Sequence, residues 1–229
     1  MKDISLIAFD ADDTLWECQT YFEAVEKEYC ELLKSYASAD EISKALFAVE
    51  TANMPLLGYG SKAFLLSLLE NAIEVSGGRL KADEVEKIIK LGKELLQLPG
   101  KPMDGVEETL KVLHERGEYH LVVFTKGELL DQENKFHRSG LKPFFDDIIV
   151  VSDKTEASYY QLCERFSINV EQLLMVGNSF RSDIEPVLKL GGWAAHIPFH
   201  TTWQHEVVEE YEHPHLLKLE YFAQLNQVL

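Results

Sequence analysis

The residues best suited to chemistry lie in four short polar segments, and each segment follows an apolar run of the sequence. They are residues 10–14, residues 125–127, Lys154, and residues 177–179 together with Asp183. Between them they supply carboxylates, hydroxyls, an amide, lysines and glycine turns. Groups of these types bind phosphate oxygens and hard cations. The pattern therefore predicts one site that takes a small anion.

Three aspartates are crowded into residues 10–13 and would repel one another if they met at one site. A hard divalent cation with oxygen ligands relieves that repulsion, and Mg²⁺ is the natural candidate. In an extended chain Asp10 and Asp12 share a face while Asp13 turns away. Asp10 then serves as nucleophile and metal ligand, and Asp12 approaches the substrate from another side. The alternative is that these residues only turn the chain and cap the next helix.

The later segments complement this acidic cluster. Thr125 offers a hydroxyl donor, and Lys126 and the glycine after it offer backbone N–H groups, a set suited to phosphate oxygens. Lys154 places a point charge near a dianion. Asn178 and Asp183 stand at the start of a helix, where their oxygens complete a metal shell. Each feature also has an ordinary explanation: a turn, a solvated lysine or an N-cap.

A parallel sheet is the element that brings these segments together. The first run, Ile4–Phe9, is apolar almost throughout, as in a strand buried on both faces, and strands alternate with helices after Pro102. The carboxyl ends of parallel strands lie at one edge, so the four polar segments meet there. The predicted strands are residues 4–9, 119–125, 148–151, 173–176 and 193–197. The predicted helices between them are residues 106–115, 129–138, 156–166 and 183–190.

A helical block interrupts the alternation between residues 20 and 98. Thr20 with Glu23, and Ser38 with Glu41, match the capping-box pattern at the start of helically periodic stretches. Two further helices are predicted over residues 61–75 and 83–97. The sequence thus predicts an α/β fold with a parallel sheet, helices on both faces and an inserted four-helix block. The acidic, histidine-bearing C-terminal stretch is expected to be a peripheral helix or loop.

In their order along the chain, these motifs resemble those of the haloacid dehalogenase-like hydrolases. The resemblance implies a three-layer Rossmann-like core over residues 1–15 and 99–229. It also implies a helical cap domain over residues 16–98, which closes over the site and selects the leaving group. The matching positions, spread between Ile4 and Ile197, are Asp10, Asp12, Thr14, Thr125, Lys154, Gly177, Asn178, Ser179 and Asp183.

The resemblance implies a phosphatase that works through an aspartyl-phosphate. Asp10 attacks phosphorus, and Asp12 protonates the leaving oxygen and then activates water. Thr125 and Lys154 hold the phosphoryl group. The implied Mg²⁺ ligands are Asp10, the backbone carbonyl of Asp12, Asn178 and Asp183. The family often has Asp where this chain has Asn178, so either the amide oxygen binds the metal or Asp183 carries more of the coordination.

Two aromatic residues are candidates for contact with the leaving group. Tyr59 lies in Gly58-Tyr59-Gly60, which belongs to a G-x-G-x-x-A pattern that would suit a dinucleotide, but no strand precedes it. Tyr59 therefore meets the substrate or packs within the helical block. Trp16 either packs or forms a wall for the leaving group. The cluster of His205, His213 and His215 lacks zinc-site spacing, and we expect a solvated tail there.

Composition narrows the partners. The 229 residues carry 22 Lys plus Arg against 39 Asp plus Glu, a net charge of -17 that disfavours nucleic acid and anionic membranes. Three cysteines without metal-ligand spacing are typical of a reducing compartment. The N-terminal apolar run is too short for a signal peptide, so we expect a cytoplasmic protein. The expected partner is a small phosphorylated metabolite, bound by a monomer or homodimer.

Four functions are open at this stage. The first is a Mg²⁺-dependent phosphatase acting on a small phosphomonoester. The second is a phosphomutase or phosphotransferase, in which a hydroxyl rather than water receives the phosphoryl group. The third is a haloacid dehalogenase, which needs neither a metal nor a second acid at Asp12. The fourth is a binding module that kept the fold without catalysis, for which Asn178 is the only support.

Overall fold

The structure, a computed structural model, describes residues 3–229. The chain divides into two compact units. Thr20–Leu98 forms one, called here the helical unit, and the residues before it join Pro99–Leu229 to form the other, the core unit. The core unit is therefore assembled from two stretches that lie far apart in the sequence.

The core unit is built on a parallel sheet of six strands in the order β3-β2-β1-β4-β5-β6. β1 lies between β2 and β4, so the chain leaves it toward one side of the sheet and returns on the other. This reversal is the switch point at which open α/β sheets bind ligands. The strands are Leu6–Phe9 (β1), His120–Lys126 (β2), Asp147–Val151 (β3), Leu173–Gly177 (β4), Trp193–His196 (β5) and Leu216–Lys218 (β6).

Helices cover both faces of this sheet, and the α/β fold predicted from the sequence is confirmed. Along β1 the side chains alternate: Ile7 and Phe9 pack with one apolar cluster, Leu6 and Ala8 with the other. All four are fully buried, which is why the run has no polar face. The helices of the core unit are Val106–Arg116 (α5), Leu129–Ser139 (α6), Glu156–Phe166 (α7), Glu185–Lys189 (α8) and Leu225–Val228 (α9).

The C-terminal stretch differs from its prediction as a peripheral helix or loop. It adds the sixth strand to the sheet and buries Phe222 and Leu225 in one of the apolar clusters. His215 is half-buried and stacks on Trp193 at 4.3 Å between ring centroids, so it does not belong to a solvated tail. A strand of three residues is too short for its alternation to stand out in the sequence.

The helical unit consists of four helices, as the sequence predicts, with an apolar core of its own. Ser38 caps the second helix in a capping box with Glu41, which confirms that motif. The expected box at Thr20 is wrong, because the first helix begins one residue earlier and Thr20 lies inside it. The helices are Gln19–Leu33 (α1), Ala39–Leu57 (α2), Ser61–Val75 (α3) and Ala82–Leu95 (α4).

The Gly58-Tyr59-Gly60 segment joins α2 to α3. Gly58 and Gly60 both have positive φ, 69° and 117°, a conformation that suits glycine at a tight connection. A helix precedes the segment, so the setting of a dinucleotide fingerprint, a strand followed by a turn, is missing. Within residues 3–229, moreover, none of the helices combines the length and hydropathy that a membrane crossing requires.

Candidate active site

Asp10 lies at the carboxyl end of the central strand. It directly follows β1, and its N–H donates to the carbonyl oxygen of Val176 in β4 at 2.9 Å. Its Oδ2 accepts from the hydroxyl of Thr14 at 3.0 Å, and its Oδ1 accepts from the ammonium of Lys154. The pKa of Asp10 is raised to about 7, because burial and the charge of Asp183, which raise it, outweigh the charge of Lys154, which lowers it.

Lys154 joins two carboxylates that are distant in the sequence. Its Nζ contacts Asp10 Oδ1 and lies 2.6 Å from Asp183 Oδ1, and the lysine is only 4% exposed. Burial alone would lower the pKa of Lys154, but the two carboxylates outweigh it and hold the pKa above its ordinary value. The lysine is therefore a fixed positive charge between Asp10 and Asp183.

Asp183 is held by the turn that follows β4. Its Oδ2 accepts from the backbone N–H of Ser179 at 3.0 Å, and the hydroxyl of Tyr159 donates to the carbonyls of Ser182 and Asp183 beneath it. A Cβ at Gly177 would lie 2.2 Å from Asp183 Oδ2. Only glycine leaves room for this carboxylate, so the fourth motif needs a glycine at position 177 because Asp183 packs directly against its backbone.

Asn178 reaches the same place from the end of β4. Thr14 Oγ1 lies 3.0 Å from Asp10 Oδ2 and 3.2 Å from Asn178 Oδ1, which places the amide oxygen beside the proposed nucleophile. Buried His196 lies with Nε2 3.0 Å from the backbone carbonyl of Asn178 and fixes the segment from β5. Asn178 is thus part of the site although it carries no charge.

This donor set fits a hard divalent cation. The carboxylates of Asp10 and Asp183 share one ammonium group, and the amide oxygen of Asn178 is joined to Asp10 through the hydroxyl of Thr14. Oxygen ligands and excess negative charge are what Mg²⁺ requires. Across residues 3–229 no three His, Cys, Asp or Glu side chains are grouped to hold a metal.

Asp12 is held by three donors that the sequence did not suggest. Both carboxylate oxygens lie 2.7 Å from Lys135 Nζ, and Gln132 Nε2 donates to one of them at 2.9 Å. Burial would raise the pKa of Asp12, but the charge and hydrogen bonds of Lys135 and Gln132 outweigh it and lower the pKa. Asp12 is consequently a carboxylate rather than a carboxylic acid in this structure.

Of the two roles predicted for Trp16, packing or a wall for the leaving group, the structure shows the packing. Its ring is fully buried within an apolar cluster of the core unit, and its Nε1 donates to Asp12 Oδ1 at 2.8 Å. The contact of Trp16 with a substrate is not tested by this packing and stays a prediction. Asp13 turns away, as expected, with φ of 62°, and accepts from the backbone N–H groups of Cys18 and Gln19 at the start of α1.

Thr125 and Lys126 end β2, as predicted for a phosphate-holding segment. Thr125 is 1% exposed, and the carbonyl oxygen of Lys126 accepts from the Gln132 amide that also reaches Asp12. The side chain of Lys126 forms an ion pair with Glu206 and donates to Ser182 Oγ at 2.9 Å. The loop after β5 therefore reaches this edge of the sheet, which the sequence did not indicate.

The structure brings Asp10, Asp12, Lys154, Asn178 and Asp183 to one edge, with Thr125 and Lys126 at the end of the neighbouring strand. Tyr59 belongs to the helical unit, and its contact with a substrate stays a prediction. The sequence did not indicate five residues that support the site: Gln132, Lys135, Tyr159, His196 and Glu206. Only Gln132 and Lys135 carry a sequence signal, because their spacing places them on one face of the helix after the second motif.

Comparison with known proteins identifies relatives over most of the chain. A profile of hydrolases described as haloacid dehalogenase-like matches residues 4–191. Haloacetate dehalogenase H-2 from Moraxella sp. (strain B) is 27% identical over 185 residues, which cover 78% of this chain and 79% of that protein. The matched residues 4–191 span the positions of all four motifs.

Solved structures extend the likeness to the fold. A haloacid dehalogenase-like family hydrolase from Xanthomonas campestris is 35% identical with a TM-score of 0.86, over 95% of this chain and 87% of that chain. A predicted phosphoglycolate phosphatase from Haemophilus somnus 129PT matches 100% of this chain and 99% of its own, with a TM-score of 0.64 and 19% identity. At that identity the second likeness shows the fold alone.

Proposed function

Since the chain belongs to the haloacid dehalogenase-like hydrolases, we propose that it is a Mg²⁺-dependent phosphatase that hydrolyses a small phosphomonoester through an aspartyl-phosphate on Asp10. The observation that carries the proposal is the second carboxylate. Asp12 follows Asp10 by two residues, and Lys135, Gln132 and Trp16 donate to its carboxylate and hold it in place. Proton transfer in phosphoryl chemistry uses such a group, whereas halide displacement does not.

In the first step Asp10 attacks phosphorus. The carboxylate must be ionised, and Lys154 favours that form through its contact with Asp10 Oδ1. Thr125 and the backbone that follows it would hold the phosphoryl oxygens, since they end the strand adjacent to Asp10. The bond to the leaving oxygen breaks as the bond from Asp10 to phosphorus forms.

Asp12 serves the second step best in the form that the structure describes. As a carboxylate it accepts a proton from the water that attacks the phosphorylated Asp10. The acid role in the first step needs Asp12 protonated, which Lys135 opposes. A bound phosphate dianion beside Asp12 would raise the pKa of Asp12 by like-charge repulsion, so substrate binding itself would favour the acid.

The residues that would hold Mg²⁺ are Asp10, the backbone carbonyl of Asp12, Asn178 and Asp183. When bound, the ion would neutralise charge on the oxygens of the transferred phosphoryl group. Lys154 contributes a fixed positive charge to the same end, and Thr14 keeps Asn178 beside Asp10. The substrate class is a phosphomonoester small enough to enter the switch-point crevice of the sheet.

The direct experiment is a panel of phosphate esters with and without Mg²⁺, with released phosphate as the readout. We expect Mg²⁺-dependent release, and we expect the Asp12→Asn variant to slow it by about 10²–10⁴-fold. Mass spectrometry of rapidly quenched enzyme should find one phosphoryl group on the peptide that contains Asp10. Transfer to an added sugar, without free phosphate, would instead identify a phosphotransferase or mutase.

Asn178 provides a test of the metal. With only two carboxylates in the set, we expect a requirement for millimolar rather than micromolar Mg²⁺, and we expect Asn178→Asp to lower the half-saturating concentration about tenfold. Glu209→Asp is a matched control, because Glu209 is exposed and a carboxylate is kept. An unchanged Mg²⁺ requirement would place Asn178 outside the ligand set.

A haloacid dehalogenase is the second candidate function. Two observations favour it: the 27% identical relative is a haloacetate dehalogenase, and Lys154 places a positive charge of the chain's own between Asp10 and Asp183. Asp10 would displace halide from carbon, and water would then hydrolyse the ester. Halide release from haloacetate, with no phosphate release from any ester, would establish this function in place of the phosphatase.

A further inference from the structure

Three buried or nearly buried lysines lie at the carboxyl edge of the sheet, and each contacts a carboxylate. Lys154 contacts Asp10 and Asp183, and Lys135 contacts Asp12, all of which belong to the proposed chemistry. Lys126 differs, because its carboxylate comes from the loop between β5 and β6 and has no part in the reaction. This third pair needs its own explanation.

The carboxylate of Glu206 lies in a cradle of donors. Lys126 Nζ contacts it, and Ser182 Oγ donates to it at 2.8 Å. Burial would raise the pKa of Glu206, but the charge of Lys126 and hydrogen bonds from Lys126, Ser179 and Ser182 outweigh it and lower the pKa. An ammonium group and two hydroxyls are what a carboxylate or phosphate of a ligand would also use.

The cradle borders the proposed reaction site. The backbone oxygen of Lys126 shares the amide of Gln132 with Asp12, and Ser182 directly precedes Asp183. Trp203, from the same loop as Glu206, lies with its ring 5.6 Å from Lys126 Nζ. The side chains of Lys126 and Glu206 are 16% and 11% exposed, so the pair keeps some contact with solvent.

We propose that Glu206 occupies, on Lys126, the position that a second anionic group of the substrate takes when it binds. Segment 203–206 then sets a preference for substrates that carry a carboxylate or a second phosphate. An anionic group can replace Glu206 and leave Lys126 neutralised. A neutral group cannot, because it would move the carboxylate of Glu206 away from a largely buried ammonium and put no negative charge in its place. The proposal rests on the proposed function in assuming that a small anionic substrate reacts at Asp10.

The test compares Glu206→Gln with Glu209→Gln, which removes the same charge from an exposed site of the same loop. Two matched pairs of compounds serve as substrates: phosphoglycerate with glycerol phosphate, and fructose bisphosphate with fructose monophosphate. In Glu206→Gln we expect KM for the more anionic member of a pair to fall about tenfold relative to the other, because a competing negative charge is removed. A tenfold change corresponds to roughly 1.4 kcal/mol. We expect kcat to stay within about twofold. Glu209→Gln should leave the ratio unchanged. A change confined to the phosphoglycerate pair would indicate a subsite for a carboxylate, and a change confined to the fructose pair would indicate a subsite for a phosphate.

The converse variant keeps the proposal testable if Glu206→Gln folds poorly. Lys126→Met should raise KM for the more anionic members alone. The same four compounds, titrated by calorimetry into Asp10→Asn protein, give the ranking of affinities without turnover. Equal changes for both members of each pair in both variants would overturn the proposal. If the wild-type enzyme hydrolyses none of the esters, the proposed function is overturned instead. The ranking of affinities by calorimetry would then test the anion subsite without any need for turnover.

Discussion

The carboxyl edge of the sheet and the interior of the helical unit bury polar groups in opposite ways. At the edge, Lys154 is 4% exposed and contacts two carboxylates. In the helical unit, the hydroxyl of Tyr29 donates to Asn71 Oδ1 at 2.6 Å and lies 2.9 Å from the carbonyl oxygen of Leu68. One region buries charges and the other buries neutral hydrogen bonds.

This difference indicates that the carboxyl edge of the sheet serves catalysis and that the interior of the helical unit serves stability. A buried ion pair contributes little net stability, because desolvation offsets the attraction, so a charge network at the switch point of a sheet indicates reactivity. A buried neutral hydrogen bond among apolar helices fixes how they pack. We therefore expect substitutions at the edge to abolish activity, and substitutions in the helical unit to change stability.

The largest effect is expected at Asp10. Asp10→Asn removes the nucleophile at constant size, so turnover should fall by at least about 10⁴-fold while the thermal midpoint changes little. Asp104→Asn, at an exposed position in the same unit, is the control. Phosphate or halide release and circular dichroism are the two measurements. Residual turnover above a hundredth of the wild-type rate would remove Asp10 from the mechanism.

Lys154→Met should affect both stability and activity. It leaves the buried carboxylates of Asp10 and Asp183 facing each other without a cation, and breaking such a pair costs about 3–5 kcal/mol. Denaturation by urea measures the loss, and added Mg²⁺ should recover part of it. Lys154→Arg keeps the charge and should lose less. An unchanged free energy of unfolding would contradict the claim that Lys154 compensates two buried charges at this edge.

In the helical unit, Leu68→Ala should cost about 3 kcal/mol of unfolding free energy, because Leu68 is fully buried in its apolar core. Turnover of a small aryl phosphate per folded molecule should stay the same, since the reacting groups lie in the core unit. Leu66→Ala, half exposed on the same helix, is the matched control. A clear fall in turnover per folded molecule in Leu68→Ala would contradict the claim that the helical unit contributes stability and not catalysis.

The smallest effect is expected at Glu50, a half-buried residue of the helical unit that lies near Glu26. Burial and, to a smaller extent, the charge of Glu26 raise the pKa of Glu50 to about 7. Between about pH 4.5 and 7 the folded state therefore holds a proton that the unfolded state has lost, so stability falls as pH rises through this window. Glu50→Gln should remove that fall and stabilise the protein at pH 8 by about 1–2 kcal/mol, after allowance for the solvent that reaches this half-buried side chain.

Thermal or urea unfolding across this pH range measures the effect. Glu28→Gln removes the same charge from an exposed position on α1 and should keep the wild-type pH dependence. If both variants change the slope alike, the pH dependence comes from net charge rather than from burial of Glu50.

Local patterns in the sequence determined most of the architecture. Apolar runs and helical periodicity predict five of the six strands, α3 and α7 to the residue, and the inserted helical block. The position of each polar motif after a strand places Asp10, Lys154, Asn178 and Asp183 at one edge, because parallel strands end together. Near-neighbour physics is sufficient for such features.

Only the tertiary structure decided which groups hold the reactive ones. Lys135 is 123 positions from Asp12 along the chain, and Glu206 is 80 positions from Lys126. At the start of α1 the backbone N–H groups are bound by Asp13, whereas the sequence pattern had predicted Thr20 as the capping residue. A buried charge needs a partner, but the sequence does not say which of many lysines or glutamates supplies it, since the partner is selected by how the chain crosses over the sheet. The same holds for Trp16, whose burial depends on helices that pack over it from elsewhere in the chain.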